Sequence, residues 1–532
     1  MTTETKPGIK AQSALWLILL AALVPWFFIR IQQATNSDIL WLCEALHRYF
    51  SGCILSECAY ETNPPLSFLI YILPVLGKDW FGLPLHYMVF LQTFVILLAC
   101  TWAIYKILTA WDKLRFTDIY IIVAGYLLAN TIGSSLYFGE RDHLVGMVLV
   151  PFVLMQTTLT YNLKQADKLK WPVFLLGSIF ILIKPHHGLL PTLLLLHRAF
   201  HRRNLFSILR DADFISLATL TPLYIASVAL IFPDFVHIIL PDLITLYIPG
   251  HAWSNVSEFI LTASGFSLAT TIAALVVPLS PAAKRIVYFL LISAMISLVP
   301  YYVQGMGFYY HVMPVISFMW PAIALVVMYW LASQAGRNVP VFFTAIFMIV
   351  FAYAYAPLNI DYPRHKDYAS LPLTKLLEKD CPKDRKCSFF MFNRDLGIFH
   401  ETAYYTGIHH ASRFPAFWFL AEIINSGRDL EKGRPSRLNK TELAYYTKKY
   451  TDMITEDLIQ DKPDILIIWR PAGKQSYFDF VKFFTRDAGF AKEWKHYRKE
   501  QSIKLDYRQY YRGTTSKENG ALDYDVYRRV TP

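Results

Sequence analysis

The stretch Asn36-Ser-Asp-Ile-Leu-Trp41 follows directly on the first apolar run of the chain, which extends from about Ala14 to Ile31. That run is long for a signal-peptide core and lacks a small-residue cleavage site, so we interpret it as an uncleaved membrane span with a cytoplasmic N-terminus. Asp38 therefore lies where the chain leaves the membrane, and a carboxylate there stays solvated and can face a cavity. Farther on, Glu61-Thr-Asn-Pro-Pro-Leu66 places another acid just ahead of the next apolar run. We take Asp38 as a candidate catalytic residue and Glu61 as a candidate substrate-binding residue.

The composition divides the chain into two parts. Of its 532 residues, 55% are hydrophobic and 17% are charged. Apolar runs recur from about residue 13 to residue 357, which is typical of a polytopic membrane protein, whereas the last third is rich in charged residues and tyrosine. The sequence therefore predicts an α-helical membrane domain over residues 1–357, with about 11 spans. A soluble α/β domain is predicted over residues 358–532.

The net charge of +11 does not indicate nucleic-acid binding. Many basic residues lie in short loops between apolar runs, where they set membrane topology. The chain has no zinc-finger spacing, no P-loop and no GxGxxG after a strand, so we expect no nucleic-acid partner.

The segment Trp171–His197 is apolar except for Lys184-Pro-His-His187 in its middle. It is too short for two full spans of about 20 residues each, yet both flanks are basic, which places both ends in the cytoplasm. We expect a hairpin of two short helices with the Lys-Pro-His-His tip at or below the outer surface. The alternative is one long span with a buried Lys184, which would invert the topology of everything downstream. With the hairpin counted as two crossings, the C-terminal domain lies outside the cytoplasm.

The C-terminal part alternates strand-like and helix-like patterns. Residues 388–392 and 464–469 are predicted as buried strands, and residues 441–459 as a helix. The tail after about Tyr507 has no clear pattern. Two cysteine pairs of close spacing, Cys53 with Cys58 and Cys381 with Cys387, fit either disulfides in an oxidising compartment or free thiols.

Three polar clusters interrupt the apolar part of the chain on its predicted outer side. Ionisable groups at membrane depth are candidates for function, because they are costly there unless they bind something. Sugar transfer with inversion needs a carboxylate to accept a proton and cations to stabilise a leaving phosphate. Asp142 is therefore a second candidate catalytic residue. The candidate substrate-binding residues, besides Glu61, are Glu140, Arg141, His143, Lys184, His186, His187, Tyr309, Tyr310 and His311.

Each cluster also has an ordinary structural interpretation. Glu140 and Arg141 form an interfacial ion pair in that interpretation, His143 a polar cap, and Lys184 a side chain that reaches the headgroups. Tyr309 and Tyr310 would belong to an aromatic belt at the membrane interface.

In this order and topology, the motifs resemble those of the GT-C glycosyltransferases, with a layout similar to the protein O-mannosyltransferases and the lipid A aminoarabinose transferases. Asp38 resembles the first-loop acid of that superfamily, and Glu61-Thr-Asn-Pro-Pro-Leu66 its acidic and Pro-Pro-Leu element. Asp142 resembles the second-loop aspartate, and Ile183 to Pro191 the lysine-bearing pair of short helices. One departure is that Ile39, not a second acid, follows Asp38, which leaves metal dependence open.

The resemblance implies an inverting glycosyltransferase of the plasma (inner) membrane that uses a polyprenyl-phosphate-linked sugar outside the cytoplasm. The expected partners are that donor, membrane lipids and an acceptor that is a glycan, a lipid or a protein. The expected cofactor is none, with a divalent metal ion as the open alternative. A different class, a flippase or transporter of a lipid-linked glycan, would use the same cations but needs no base.

Overall fold

The computed structural model describes most of the chain in two compact units. The described residues are 9–111, 113–134, 137–161, 163, 168–248, 256–305, 308–335, 364–381, 387–394, 396, 398–470, 478–506 and 521–530. The first unit comprises Met1–Ile31, Pro64–Leu230 and His251–Asn359, and the second comprises Gln32–Asn63, Ile231–Gly250 and Ile360–Pro532. The predicted domain boundary at residues 357 and 358 and the predicted span at residues 340–357 lie outside the described residues.

The described part of the first unit is helical. Its helices are α1 (Ile9–Arg30), α4 (Leu66–Leu69), α5 (Ile72–Phe81), α6 (Leu85–Thr109), α7 (Phe116–Thr131), α8 (Arg141–Thr160), α9 (Lys170–Ile183), α10 (Leu189–His201), α11 (Ala212–Ile231, whose last residue belongs to the second unit), α13 (Val256–Val276), α14 (Pro281–Gln304) and α15 (Met313–Ala335). Short 3₁₀ turns at Pro185–Gly188, Leu205–Arg210 and Tyr309–Val312 join some of them.

Within the described residues, six helices are long and apolar enough to cross a membrane: α6, α8, α11, α13, α14 and α15. Three other apolar segments are shorter than these six helices: Leu15–Arg30 within α1, α7 and α9. Helix α8 is the central one, because 94% of its apolar window is buried inside the protein, compared with 6% for α11. A helix that is apolar on all sides and buried belongs to the middle of a bundle. The first turn of α8, which carries Asp142, is therefore surrounded by other helices.

The segment Trp171–His197 forms the predicted hairpin. Helix α9 ends at Ile183, Lys184 is extended (φ −137°, ψ 91°), and α10 begins at Leu189 after the turn. Proline at position 185 explains the break, because its ring disfavours the helical conformation for the residue before it. The interpretation of this segment as one long span is therefore wrong.

The second unit is built on a mixed five-stranded sheet. Its strands are β1 (Ser388–Phe392), β2 (His409–His410), β3 (Ile465–Arg470), β4 (Tyr497–Asp506) and β5 (Ala521–Arg529), in the order β2-β1-β3-β5-β4. Strands β2, β1 and β3 are parallel, and β5 is antiparallel to both β3 and β4. The helices of this unit are α2 (Ser37–Phe50), α3 (Leu55–Cys58), α12 (Phe235–Tyr247), α16 (Pro372–Asp380), α17 (Phe399–Thr406), α18 (Leu420–Glu431), α19 (Lys440–Asp461), α20 (Phe480–Phe484) and α21 (Ala488–Trp494). The α/β prediction for this region, including β1, β3 and α19, is confirmed.

The segment after α1 packs with the C-terminal residues in the second unit. Gln33 forms a β-bridge with Arg364, and the hydroxyl of Ser37 donates to the carboxylate of Glu401 on α17. The guanidinium of Arg48 donates to the carbonyls of Ser412 and His410 at 2.7 and 2.9 Å. Helix α2 is therefore an integral part of this unit.

Both cysteine pairs are disulfides, Cys53–Cys58 and Cys381–Cys387. The first closes the loop between α2 and α3. The second precedes β1. The structure therefore selects the disulfide alternative that the spacing left open.

Candidate functional site

Asp142 and Lys184 form a buried ion pair in the first unit. Lys184 Nζ lies 2.5 Å from Asp142 Oδ2, and His187 Nε2 lies 3.0 Å from Asp142 Oδ1. The same ammonium group donates to Gln304 Oε1 at 3.0 Å. Asp142 is fully buried and Lys184 is 7% exposed. Helices α8 and α14 and the turn between α9 and α10 thus bring three distant parts of the sequence together.

The local sequence places these groups where their charges are favourable. Asp142 lies in the first turn of α8, where the helix dipole stabilises an anion. Lys184 is the extended residue between α9 and the Pro185–Gly188 turn, so its side chain is not part of a helical face. The extended backbone lets the ammonium group reach Asp142 rather than the lipid phase.

The loop before α8 is held by its own polar groups. Gly139 has φ of 95°, a conformation that glycine adopts without strain. Its N–H donates to His143 Nδ1 at 3.1 Å, and its carbonyl accepts from the Tyr71 hydroxyl at 2.8 Å. His143 Nε2 in turn donates to the Asn130 carbonyl at 3.0 Å, since Nδ1 already acts as an acceptor. Both nitrogens of the buried His143 are used within the protein, so its contacts are structural.

Glu140 and Arg141 form a second buried charge pair beside Asp142. Arg141 Nη2 lies 3.0 Å from Glu140 Oε1, and the Glu140 carboxylate also accepts from the Arg141 N–H. Glu140 is fully buried and Arg141 is 2% exposed. A buried pair of opposite charges is costly to desolvate and marks a region whose polarity is kept for a reason beyond packing.

The aromatic cluster after α14 covers one side of the Lys184 ammonium. The ring of Tyr310 lies 5.4 Å from Lys184 Nζ, within the range of a cation–π contact. His311 packs edge-on against Tyr310 and is buried. Tyr309 is exposed and donates its hydroxyl to the Gly133 carbonyl at 3.0 Å. Of these three, Tyr310 and His311 belong with Lys184, whereas Tyr309 points to a different part of the unit.

Three buried polar atoms around this cluster have no hydrogen-bond partner among the described residues: Gln304 Nε2, His186 Nε2 and His311 Nδ1. Gln304 is bonded to Lys184 through its oxygen, and His311 interacts electrostatically with Lys184 and Asp142. The His186 ring lies beside that of His187, with 4.6 Å between ring centres and a tilt of 52°. Buried polar atoms without partners cost free energy, so such atoms together indicate a bound group. An amide N–H₂, imidazole N–H groups and a lysine are all hydrogen-bond donors, which suits an anion.

The cluster is less suited to a metal ion. Asp142, His186 and His187 each offer a ligand atom, and these atoms lie within 4.8 Å of one another. However, both oxygens of Asp142 already accept hydrogen bonds, from Lys184 and His187. A divalent cation there would have to displace the positively charged Lys184. The donor set therefore does not fit the metal ion that the sequence left open.

Asp38 and Glu61 belong to the second unit. Asp38 lies in the first turn of α2 behind the Asn36 cap, and it is partly exposed. Glu61 is buried, and its Oε2 accepts from Trp41 Nε1 at 2.5 Å while its Oε1 accepts from the Asn63 N–H at 2.7 Å. Trp41 lies one helical turn after Asp38. Glu61 thus holds the helix that carries Asp38, and the partly exposed Asp38 is the more accessible of the two carboxylates.

The sequence analysis does not single out Gln304 as a site residue. Its only signal is its position as an amide at the end of a long apolar run, before Gly305. Asp242 in the second unit is also absent from the candidate site residues, yet it is buried and accepts three hydrogen bonds.

The fold is similar to that of solved structures, one of them over nearly the whole chain. No protein-family model and no curated protein matches the chain. Among solved structures, the crystal structure of ArnT from Cupriavidus metallidurans bound to undecaprenyl phosphate matches with a TM-score of 0.54 and 12% sequence identity, over 97% of this chain and 98% of that chain. The structure of the same enzyme in the apo state matches with a TM-score of 0.40 and 12% identity, over 86% and 93% of the two chains, which is too weak to add to the comparison.

This chain therefore has an ArnT-like fold over nearly its whole length. The fold class predicted from the sequence is confirmed. The number of spans is not tested by the likeness.

Proposed function

We propose that this protein is an integral-membrane glycosyltransferase that takes a sugar from a polyprenyl-phosphate carrier and transfers it, with inversion, to an acceptor outside the cytoplasm. The observation that carries the proposal is the buried Lys184 with the unpartnered polar atoms of Gln304, His186 and His311 around it. Undecaprenyl phosphate is the molecule bound by ArnT, whose fold this chain shares. A phosphate monoester or diester of a lipid is an anion of the size and charge that such donors bind.

In the proposed reaction, a hydroxyl oxygen of the acceptor attacks the anomeric carbon of the carrier-linked sugar. The bond between that carbon and the phosphate oxygen breaks, and its electron pair leaves with the carrier phosphate. A carboxylate accepts the acceptor proton as the new bond forms, and Asp38 is the carboxylate to which the sequence resemblance assigns this step. The ammonium of Lys184 stabilises the charge that develops on the phosphate, and Gln304 and His311 donate to its oxygens.

Asp142 has a positioning role in this proposal. Its carboxylate is fully buried and already shared between Lys184 and His187, so it holds the two side chains in place before the carrier binds. Glu61 positions α2 through Trp41, and Glu140 holds the Arg141 guanidinium near the start of α8. The proposal thus retains Asp38 as catalytic and assigns Asp142 to orientation.

A binding measurement tests the phosphate assignment. The full chain in nanodiscs is titrated with undecaprenyl phosphate, and the bound fraction is followed by native mass spectrometry. Lys184→Met should weaken binding by about 30-fold, since removing one partner of a buried charge contact costs at least about 2 kcal/mol. Lys284→Met is the matched control, because Lys284 is partly exposed and donates only to the Leu275 carbonyl in the described contacts. Equal affinities for wild type and Lys184→Met would refute the assignment.

A transporter of a lipid-linked glycan would also bind the phosphate, so binding alone does not separate the two functions. The difference is the base, since a transporter breaks no glycosidic bond. Asp38→Asn keeps the size of the side chain and removes the proton acceptor. Loss of transfer with retained carrier binding in this variant supports the transferase over the transporter.

A further inference from the structure

Helix α12 of the second unit is apolar on both of its faces. Its inward face buries Phe235, Ile239 and Leu246. Its outward face, continued by Ile248, carries exposed aliphatic side chains: Ile238 at 37%, Leu240 at 38%, Ile244 at 57% and Ile248 at 53%. His237 is also exposed on this helix. Aliphatic side chains as exposed as these are stable in water only when something covers them.

Asp242 is the only acidic residue of α12, and its inward-pointing side chain fixes the helix in place. Its Oδ2 accepts from the hydroxyls of Tyr60 and Tyr450 at 2.5 and 2.6 Å and from Lys449 Nζ at 2.6 Å. Burial and the nearby carboxylate raise the pKa of the Tyr60 phenol, so it stays protonated and keeps donating. Just before the helix, Asp234 accepts from the Ser56 N–H at 2.8 Å. Because Asp242 and Asp234 are held by these hydrogen bonds, α12 cannot rotate about its axis and bury its outward aliphatic side chains.

The position of α12 in the chain identifies what covers this face. Helix α11 is a candidate membrane span that ends at Ile231, and α12 begins four residues later at Phe235. At about 1.5 Å per residue, α12 is roughly 20 Å long, which is too short to cross a hydrocarbon core of about 30 Å. A helix of this kind lies in the membrane interface with aliphatic side chains among the acyl chains.

We propose that the outward face of α12, formed by Ile238, Leu240, Ile244 and Ile248, binds the lipid surface of the membrane. Asp242 then ties the lipid-bound helix to α19 through Lys449 and Tyr450. The soluble unit is thereby anchored to the bilayer at a point other than the polypeptide connections themselves. This inference does not depend on the proposed sugar transfer.

Depth measurements on the full chain in nanodiscs test the proposal. Ile244→Cys and Ile248→Cys are each labelled with bimane, and quenching by nitroxide-bearing phospholipids is compared with quenching by aqueous iodide. Ile459→Cys is the matched control, because Ile459 on α19 is 50% exposed and is followed by the exposed Gln460 and Asp461. The unlabelled background is set by the parent protein, whose free Cys43 and Cys100 are buried.

The proposal expects bimane at positions 244 and 248 to be quenched several-fold more by the lipid nitroxide than bimane at position 459, and to be protected from iodide. Quenching by iodide at position 244 or 248 equal to that at position 459 would overturn it. Protection from both quenchers would also overturn it, because that result indicates coverage by protein, such as a second copy. The two cysteine positions are independent, so failure of one variant to fold leaves the other as the test.

Discussion

The pairing of Lys184 with Asp142 makes a prediction that separates its structural role from its proposed role in binding. The perturbations are Lys184→Met, Asp142→Asn and the two combined. Methionine keeps most of the aliphatic volume of lysine without the charge, and asparagine keeps the shape of aspartate. The three variants form a double-mutant cycle, which measures how strongly the two side chains are coupled.

The structure sets the magnitude of the coupling. With 2.5 Å between Lys184 Nζ and Asp142 Oδ2, the Coulomb attraction is about 7 kcal/mol at an effective dielectric constant of about 20. Desolvation offsets a large part of this, and breaking a buried pair by removing one partner costs about 3 to 5 kcal/mol. We expect Lys184→Met to cost about 3 kcal/mol of stability, since His187 still donates to the orphaned carboxylate. The double variant should be more stable than the sum of the single effects by about 2 to 3 kcal/mol.

Carrier binding should follow a different order from stability. Asp142→Asn should bind undecaprenyl phosphate about as tightly as wild type, because asparagine keeps a side-chain oxygen that holds Lys184 in place and removes only the negative charge. Lys184→Met and the double variant should both bind about 30-fold more weakly. The assay is thermal unfolding in detergent for stability and native mass spectrometry in nanodiscs for binding. Wild-type affinity in the double variant would refute the phosphate role, and additive stability losses would refute the coupling.

Three further predictions concern other parts of the chain. In thermal unfolding, Gly125→Ala on α7 should destabilise the protein by about 1 to 3 kcal/mol, because the new Cβ would lie 2.8 Å from the backbone Cα of Pro321. The control is Gly265→Ala on α13, where nothing lies within 4 Å of the new Cβ, and it should be neutral or slightly stabilising in the same assay. Asp213→Asn should cost about 3 kcal/mol in chemical unfolding, because among the described residues it leaves the fully buried Arg198 with Asp211 as its one carboxylate partner. Asp452→Asn in the exposed pair with Lys448 should leave the unfolding midpoint unchanged. Burial lowers the pKa of His400 from 6.5 to about 4, so its contribution to stability is present above pH 6.5 and is lost as the pH falls toward 4. Relative to wild type, His400→Gln should therefore be roughly 2 kcal/mol more stable at pH 5 than it is at pH 7, as measured by thermal unfolding. The same stability difference between variant and wild type at both pH values would contradict this prediction.

The apolar runs of the sequence predict the long helices because their signal is local. Helices α6, α8, α11, α14 and α15 all lie within the region of recurring apolar runs, about residues 13–357, that the sequence predicts as the membrane domain. The break at Lys184 is also predictable, since proline acts on its direct neighbour.

Short helices without a polar face are harder to predict. Helix α12 lies in a stretch that also contains Pro233, Asp234, His237 and Pro241, and these residues indicate a loop when they are taken alone. Strands β4 and β5 are missed because charged residues interrupt their apolar alternation, and the two strands are stabilised mainly by pairing with each other.

The contacts of the candidate site cannot be predicted from the sequence, because they join residues that lie far apart in the chain. The sequence identifies Asp142 and Lys184 as candidates from their membrane depth, yet nothing in it specifies that they contact each other. Gln304 lies 120 residues from Lys184 and joins it only through the packing of α14. The tertiary fold, not the local pattern, brings these side chains together.

The measurement that tests the central claim most directly is a comparison of envelope glycans and lipids by mass spectrometry in cells that carry wild-type protein, Asp38→Asn or no protein. Immunoblotting establishes equal expression of the variant. The account predicts that Asp38→Asn matches the deletion and that one sugar mass is missing from the same glycan or lipid in both. Wild-type glycans in Asp38→Asn, with the sugar lost only in the deletion, would contradict the assignment of Asp38 as the base and favour a transporter.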